Sequence, residues 1–202
     1  MSKQEEFWRS VYAQEYINRN SSFNIDLGVK AWSIMLKRAD YISSILELGP
    51  NIGRNIASLN LLLPSSKKSI VEISPLAFEI ATSRYTLETA QNCAILDATV
   101  DKQYDLVITS GVLIHVPPED LQRTVRKAAE FSKRYLLVCE MFSRVPRTVR
   151  YRDSDDLLFT RDYGKFVLET CELKVIDYGF LWGYYFDEAG FDDANWWLFE
   201  KR

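Results

Sequence analysis

The sequence predicts an α/β fold: a mostly parallel sheet with helices on both faces. Two observations predict it. Short apolar runs with β-branched residues alternate with stretches of helical periodicity along the chain, the pattern of repeated strand–helix–strand units. The run Ile45-Leu46-Glu47-Leu48 is followed by the tight turn Gly49-Pro50-Asn51-Ile52-Gly53, and a second run, Ser69-Ile70-Val71, ends in Glu72. At 202 residues the chain is read as one domain, with residues 1–40 as a helical cap on a core of residues 41–202.

Taken in order, Phe7, Trp8, Val11, Tyr12, Tyr16 and Arg19 share helical spacing over residues 3–19, and Asn20-Ser21-Ser22 breaks the helix. Ile25, Val29, Trp32 and Leu36 mark a second helix over 25–38. Strands are expected near 44–49, 68–73, 92–97, 104–110, 134–141, 173–181 and 194–201. Helices are expected near 53–62, 75–86, 119–132 and 160–171. Residues 143–158 read as a long polar connection with four arginines, Arg144, Arg147, Arg150 and Arg152. It leaves the carboxyl edge of the fifth strand, where ligands bind in open α/β folds, and long loops there serve as lids.

Composition removes several function classes. Net charge is −3 and the pI about 5.4, against the basic surplus of a general nucleic-acid binder. No apolar run approaches the ~20 residues of a membrane span. The polar start Met1-Ser2-Lys3-Gln4-Glu5-Glu6 does not read as a signal peptide, so a cytoplasmic location is expected. Cys93, Cys139 and Cys171 are an odd number without a C-x-x-C pair, as expected of free thiols in a reducing compartment. The single histidine, His115, excludes His-cluster metal sites, and no metal is expected. Asp153, Asp155 and Asp156 read as a solvated loop.

The glycine turn carries the chemistry. A strand, a glycine turn, a helix and a second strand tipped with a carboxylate describe a nucleoside-binding unit. In it the backbone approaches the ligand and the acid accepts hydrogen bonds from ribose hydroxyls. A pyrophosphate-binding turn needs a third glycine, and a P-loop needs Gly-Lys-Ser/Thr; neither is present. The turn suits a nucleoside cofactor without phosphates. Asn51 stands where a middle glycine is usual, and asparagine visits positive φ more readily than other side chains. An ordinary Gly-Pro loop after a buried strand remains the plain alternative.

With Asn92-Cys93-Ala94-Ile95-Leu96-Asp97, Tyr104-Asp105-Leu106-Val107-Ile108-Thr109-Ser110 and Arg134-Tyr135-Leu136-Leu137-Val138-Cys139-Glu140 as further strands, the chain resembles the class I S-adenosylmethionine-dependent methyltransferases from Glu47 to its end. The resemblance implies a Rossmann-like, seven-stranded sheet whose last strand is antiparallel, and S-adenosylmethionine as cofactor. It implies cofactor contacts at Glu47, Gly49, Asn51 and Gly53, ribose contact at Glu72, and adenine contact near Asp97 and Ala98. Trp8, Tyr16, Arg19 and Asn20 of the cap, with Ile73 and Ser110, are expected at the same site.

Four pieces resemble a narrower family, the pseudaminic acid biosynthesis-associated methylases. They are Phe7-Trp8 with Tyr16-Ile17-Asn18-Arg19-Asn20; the Glu47–Gly53 turn; Tyr151-Arg152 with Asp155–Asp162; and Asp192-Asp193-Ala194-Asn195-Trp196-Trp197. The Tyr12-Ala13 pair departs from the aromatic–glycine expected there. The resemblance implies methyl transfer to nitrogen or oxygen of a small soluble acceptor, such as a sugar or nonulosonic-acid pathway metabolite. Tyr12, Arg150, Arg152 and Trp196 are expected to meet that acceptor.

His115 is the one side chain whose ordinary pKa suits a general base near neutrality, and Tyr151 is a second candidate. A histidine that only holds its turn through a backbone hydrogen bond is the competing reading. Thr109-Ser110-Gly111-Val112 follows the fourth strand in place of the Asn/Asp-Pro-Pro-Tyr of methyltransferases that act on base or glutamine amino groups. Two further readings stay open here: a catalytically silent cofactor-binding regulatory subunit, and a tRNA or protein methyltransferase using the arginine segment.

Overall fold

The computed structural model describes residues 2–10, 12–19, 22–151 and 154–202, with the backbone alone for Tyr12, Ala13, Tyr16, Arg19, Ser154, Asp155 and Asp156. Three helices precede the sheet: α1 (Lys3–Arg9), α2 (Tyr12–Arg19) and α3 (Ile25–Met35). The alternating core follows with β1 (Ser44–Leu48), α4 (Arg54–Leu62), β2 (Lys67–Val71), α5 (Pro75–Arg84), β3 (Thr89–Gln91), β4 (Tyr104–Ser110), α6 (Pro118–Phe131) and β5 (Ser132–Glu140). Then come β6 (Arg147–Tyr151), β7 (Ser154–Thr160), α7 (Tyr163–Thr170), β8 (Leu173–Leu181), α8 (Gly183–Phe186) and β9 (Ala194–Lys201).

The main sheet has seven strands in the order β3-β2-β1-β4-β5-β9-β8. The pairs β1–β2, β2–β3, β1–β4 and β4–β5 are parallel, and β9 runs antiparallel to both β5 and β8. Side chains alternate across the sheet and bury both faces. Leu46, Leu48, Val107, Leu136, Val138 and Phe199 point to one side, where Val125 of α6 and Tyr163 and Val167 of α7 cover them. Ile45, Leu106, Ile108, Leu137 and Leu198 point to the other, against Trp32 and Met35 of α3 and Leu59 of α4. Helix starts have local causes: Asn24, Ser74 and Asp162 cap α3, α5 and α7 by accepting from a backbone N–H three residues on.

The structure corrects four expectations. The first helix is two: Ser10 has extended backbone (ψ −177°) and ends α1. The second helix stops at Met35. The third strand lies at Thr89–Gln91 and not at 92–97; Asn92 donates its amide to the Glu72 carbonyl, and residues 95–97 wind into a 3₁₀ turn. The arginine segment is no irregular loop, since Arg147–Tyr151 and Ser154–Thr160 pair antiparallel as a hairpin. Leu157, Leu158, Phe159 and Thr160 of its second strand are buried, and the buried Tyr163 hydroxyl donates to the Phe159 carbonyl at 2.7 Å.

Candidate active site

A cleft of about 820 Å³ opens at the carboxyl edge of β1, β2, β4 and β5. Its size is that of a ligand site. The turn after β1 shapes one end. Gly49, Asn51 and Gly53 all have positive φ, at 73°, 52° and 85°. At Gly49 a Cβ would stand 2.6 Å from the Val112 side chain, so only glycine lets the β1 and β4 loops meet there. Asn51 takes the left-handed conformation that asparagine tolerates.

Glu72, just past the tip of β2, ties two loops together. It is 4% exposed, and its oxygens accept from the N–H groups of Asn51 and Ser74, each at 2.8 Å. Burial pushes its pKa up, and these backbone donors pull the other way. With the Ile73 N–H as a third backbone donor, the carboxylate still keeps acceptor capacity for one further hydrogen bond. Glu47 lies deeper. Asn55 donates to its Oε1 at 2.7 Å, Trp32 Nε1 donates to Asn55 at 3.3 Å, and Glu47 Oε2 has no hydrogen-bond partner among the described residues. Burial raises its pKa to about 7.

His115 also lines the cleft, in a 3₁₀ turn (Leu113–His115) after β4. Its Nδ1 lies 2.8 Å from the Leu157 carbonyl on β7. A carbonyl only accepts, so Nδ1 carries the proton and Nε2 the lone pair. The ring packs edge-on to Trp8 of α1 (centroids 4.8 Å) and tilted against Tyr151 of the hairpin (5.3 Å). Burial lowers its pKa to about 4, so the imidazole is neutral at neutral pH.

The expected site residues divide. Trp8, Gly49, Asn51, Glu72, Ile73, Ser110, His115, Arg150 and Tyr151 line the cleft. Glu47 and Gly53 lie behind its wall. Asp97 is exposed and Ala98 is buried in the core, because the 3₁₀ turn swings them off the wall; Cys93, Ala94, Ile95 and Leu96 line it instead. Trp196, expected to meet the acceptor, does not line the cleft. It is 2% exposed and packs among the α3-side core residues, its indole closing over Gly179. Asn20 and Arg152 lie outside the described residues, as do the side chains of Tyr12, Tyr16 and Arg19.

Sequence reasoning missed the segment after β8. Tyr184, Asp187, Asp192 and Asp193 line the cleft; Glu140 at the end of β5, which the sequence offered as a weaker candidate for base or orienter, lines it too. The available signal was position: residues that follow a parallel strand emerge at the ligand-binding edge. Among the described residues, no group of three or more His, Cys, Asp or Glu side chains could hold a metal ion, and no helix is long and apolar enough to cross a membrane.

The buried groups make a pH prediction. Glu47 and Glu140 both have folded-state pKa values raised from 4.5 to about 7, so the stability they contribute is present below pH 4.5 and lost as pH rises through 7. His115, lowered from 6.5, contributes stability above that pH and loses it as pH falls toward 4. Two carboxyls outweigh one imidazole. The ligand-free protein is therefore expected to melt at a higher temperature at pH 5.5 than at pH 7.5, and Glu47→Gln should flatten the slope. A melting temperature that rises over this interval would contradict the assignment.

The sequence matches no family model and no curated protein. Solved structures do resemble it. A SAM-dependent methyltransferase of Leishmania major superposes with a TM-score of 0.74 at 17% identity, over 98% of this chain and 81% of that one. The 1,6-didemethyltoxoflavin-N1-methyltransferase of Burkholderia thailandensis, solved with S-adenosylhomocysteine, gives 0.72 at 13% identity, over 98% and 86%. The N-methyltransferase NodS of Bradyrhizobium japonicum, solved with the same compound, gives 0.64 at 16% identity, over 87% and 86%. The fold is that of the S-adenosylmethionine-dependent methyltransferases. In this methyltransferase fold the two expectations about the sheet hold: the seven strands are mostly parallel, and the last is antiparallel.

Proposed function

We propose that this chain is an S-adenosylmethionine-dependent methyltransferase acting on nitrogen or oxygen of a small soluble acceptor. The observation that carries the reading is the Glu72 carboxylate, bonded to the Asn51 N–H of the glycine turn at 2.8 Å, in the wall of a cleft that also reaches a neutral histidine. The residues fit the cofactor. Glu72 has acceptor capacity left for a ribose hydroxyl. Ile73 and Cys93–Leu96 offer an apolar slot for adenine. Asn51 Oδ1 is a buried acceptor beside the turn with no partner among the described residues. Bound there, the sulfonium would supply an activated methyl group.

The chain's own residues then orient the acceptor and exclude water. His115 Nε2 takes the acceptor's proton or its hydrogen bond. Trp8, edge-on, and Tyr151, tilted, hold and shield the imidazole, and Ser110 lines the same cleft. Arg150 stands in the hairpin wall, where a guanidinium suits a carboxylate. With the sequence resemblance, this directs the search to sugar and nonulosonic-acid pathway metabolites. Glu5, Asp120, Asp187, Asp192 and Asp193 also line the cleft against Arg54 and Arg150, which disfavours a polyanion such as RNA. Transfer of labelled methyl groups from the cofactor to fractionated bacterial metabolites tests the reading. Label in the small-molecule fraction supports it, and label only in RNA or protein fractions overturns it.

A further inference from the structure

Glu140 is the last residue of β5, beside the point where the chain leaves β4 at Ser110 and Gly111. It is 1% exposed. One of its carboxylate oxygens accepts from Val112 N–H at 3.1 Å and Leu113 N–H at 3.0 Å, and the other from Ile114 N–H at 3.4 Å. Three consecutive N–H groups thus converge on one side chain. They open the short turn that ends in His115, where the internal bonds are His115 N–H to the Val112 carbonyl and Val116 N–H to the Leu113 carbonyl. Leu113 and Ile114 are buried, so without the carboxylate their N–H groups would have neither protein nor bulk water to bond.

We propose that Glu140 is a positioning residue: by gathering the N–H groups of Val112, Leu113 and Ile114 it fixes the turn that aims His115 into the cleft. The inference rests on the reading of His115 as the residue at the transfer site. Two supports then set the imidazole. Glu140 holds its backbone from β5, and the Leu157 carbonyl holds its Nδ1 from the hairpin. With either support gone, the ring no longer has a fixed tautomer or direction, and Nε2 no longer faces the acceptor. Burying a carboxylate here without a cationic partner is costly, and three backbone donors offset that cost.

The test uses the fact that the chain has one histidine. Nitrogen-15 NMR of the ligand-free protein reads its tautomer directly, with neither cofactor nor acceptor needed. Wild type should show the Nδ1–H tautomer. In Glu140→Gln, which keeps shape and one acceptor oxygen but sets an NH₂ against the Ile114 N–H, the two nitrogen shifts should converge as tautomers mix, while S-adenosylhomocysteine affinity stays within a few-fold by calorimetry. If Glu140→Gln does not fold, Glu140→Asp, which withdraws the carboxylate by one methylene, should show the same change in smaller degree. A wild-type tautomer in the folded variant overturns the proposal. So does a loss of S-adenosylhomocysteine affinity of more than about tenfold, roughly 1.4 kcal/mol, because the residue would then support the whole cleft. Failure of wild type to bind S-adenosylhomocysteine would instead strike the methyltransferase reading and leave the NMR result standing.

Discussion

Replacing His115 with alanine is expected to lower methyl-transfer turnover by about 10²-fold, the low end of the range a positioned general base supplies, because a pKa of about 4 makes the imidazole a weak base. Affinity for S-adenosylhomocysteine should change little, because the cofactor's expected partners are the glycine turn and Glu72 rather than the His115 ring. The geometry makes the competing outcome concrete. His115 already donates Nδ1–H to Leu157, so it fastens the hairpin whatever else it does. If the variant keeps wild-type turnover and only melts earlier, the histidine is a latch and the base must be sought elsewhere. The pH dependence should follow the same ring. With its pKa lowered to about 4, the imidazole is neutral across the neutral range, and protonation of His115 should not limit turnover above about pH 5.

Glu72→Ala is expected to weaken cofactor binding by about ten- to a hundredfold, since a hydrogen bond to a charged group contributes about 1.5–3 kcal/mol. The substitution also strands the Asn51 and Ser74 N–H groups that the carboxylate now accepts, so the glycine turn should loosen with it. Glu72→Gln separates the two effects. An amide keeps one acceptor for the turn and loses the charge. Calorimetry with S-adenosylhomocysteine measures both variants, and an affinity equal to wild type in Glu72→Ala would remove Glu72 from the site.

Much of this was legible in the sequence for simple reasons. Strands β1, β4 and β5 are largely buried on both faces, so they appear as mostly apolar runs, and a strand of that kind announces both itself and its carboxyl end. Glu72 was legible because it closes such a run. Strand β3 was not. Thr89-Ala90-Gln91 is short and half-polar, while Cys93-Ala94-Ile95-Leu96 is apolar because it walls the cleft and meets the core, not because it joins the ladder. The hairpin was hidden by its first strand, whose residues alternate but are largely exposed, and by reading Leu157-Leu158-Phe159 as the end of a loop.

Trp196 and Trp197 show the limit of pattern reading most plainly. Adjacent residues on β9 face opposite sides of the sheet: Trp196 joins Leu198 on the α3 side, and Trp197 lies with Phe199 on the side of α6 and α7. Two neighbouring tryptophans give no sign of which face is which, because both faces are covered. The role of Glu140 depends on a long-range meeting, 27 residues apart along the chain for its bond to Leu113, which no local pattern encodes.

Titration of the wild-type protein with S-adenosylhomocysteine in a calorimeter tests the central claim most directly. Saturable binding at one site per chain, weakened in Glu72→Ala, is the predicted result. An absence of saturable binding by the folded wild-type protein, to this compound and to S-adenosylmethionine alike, would contradict it.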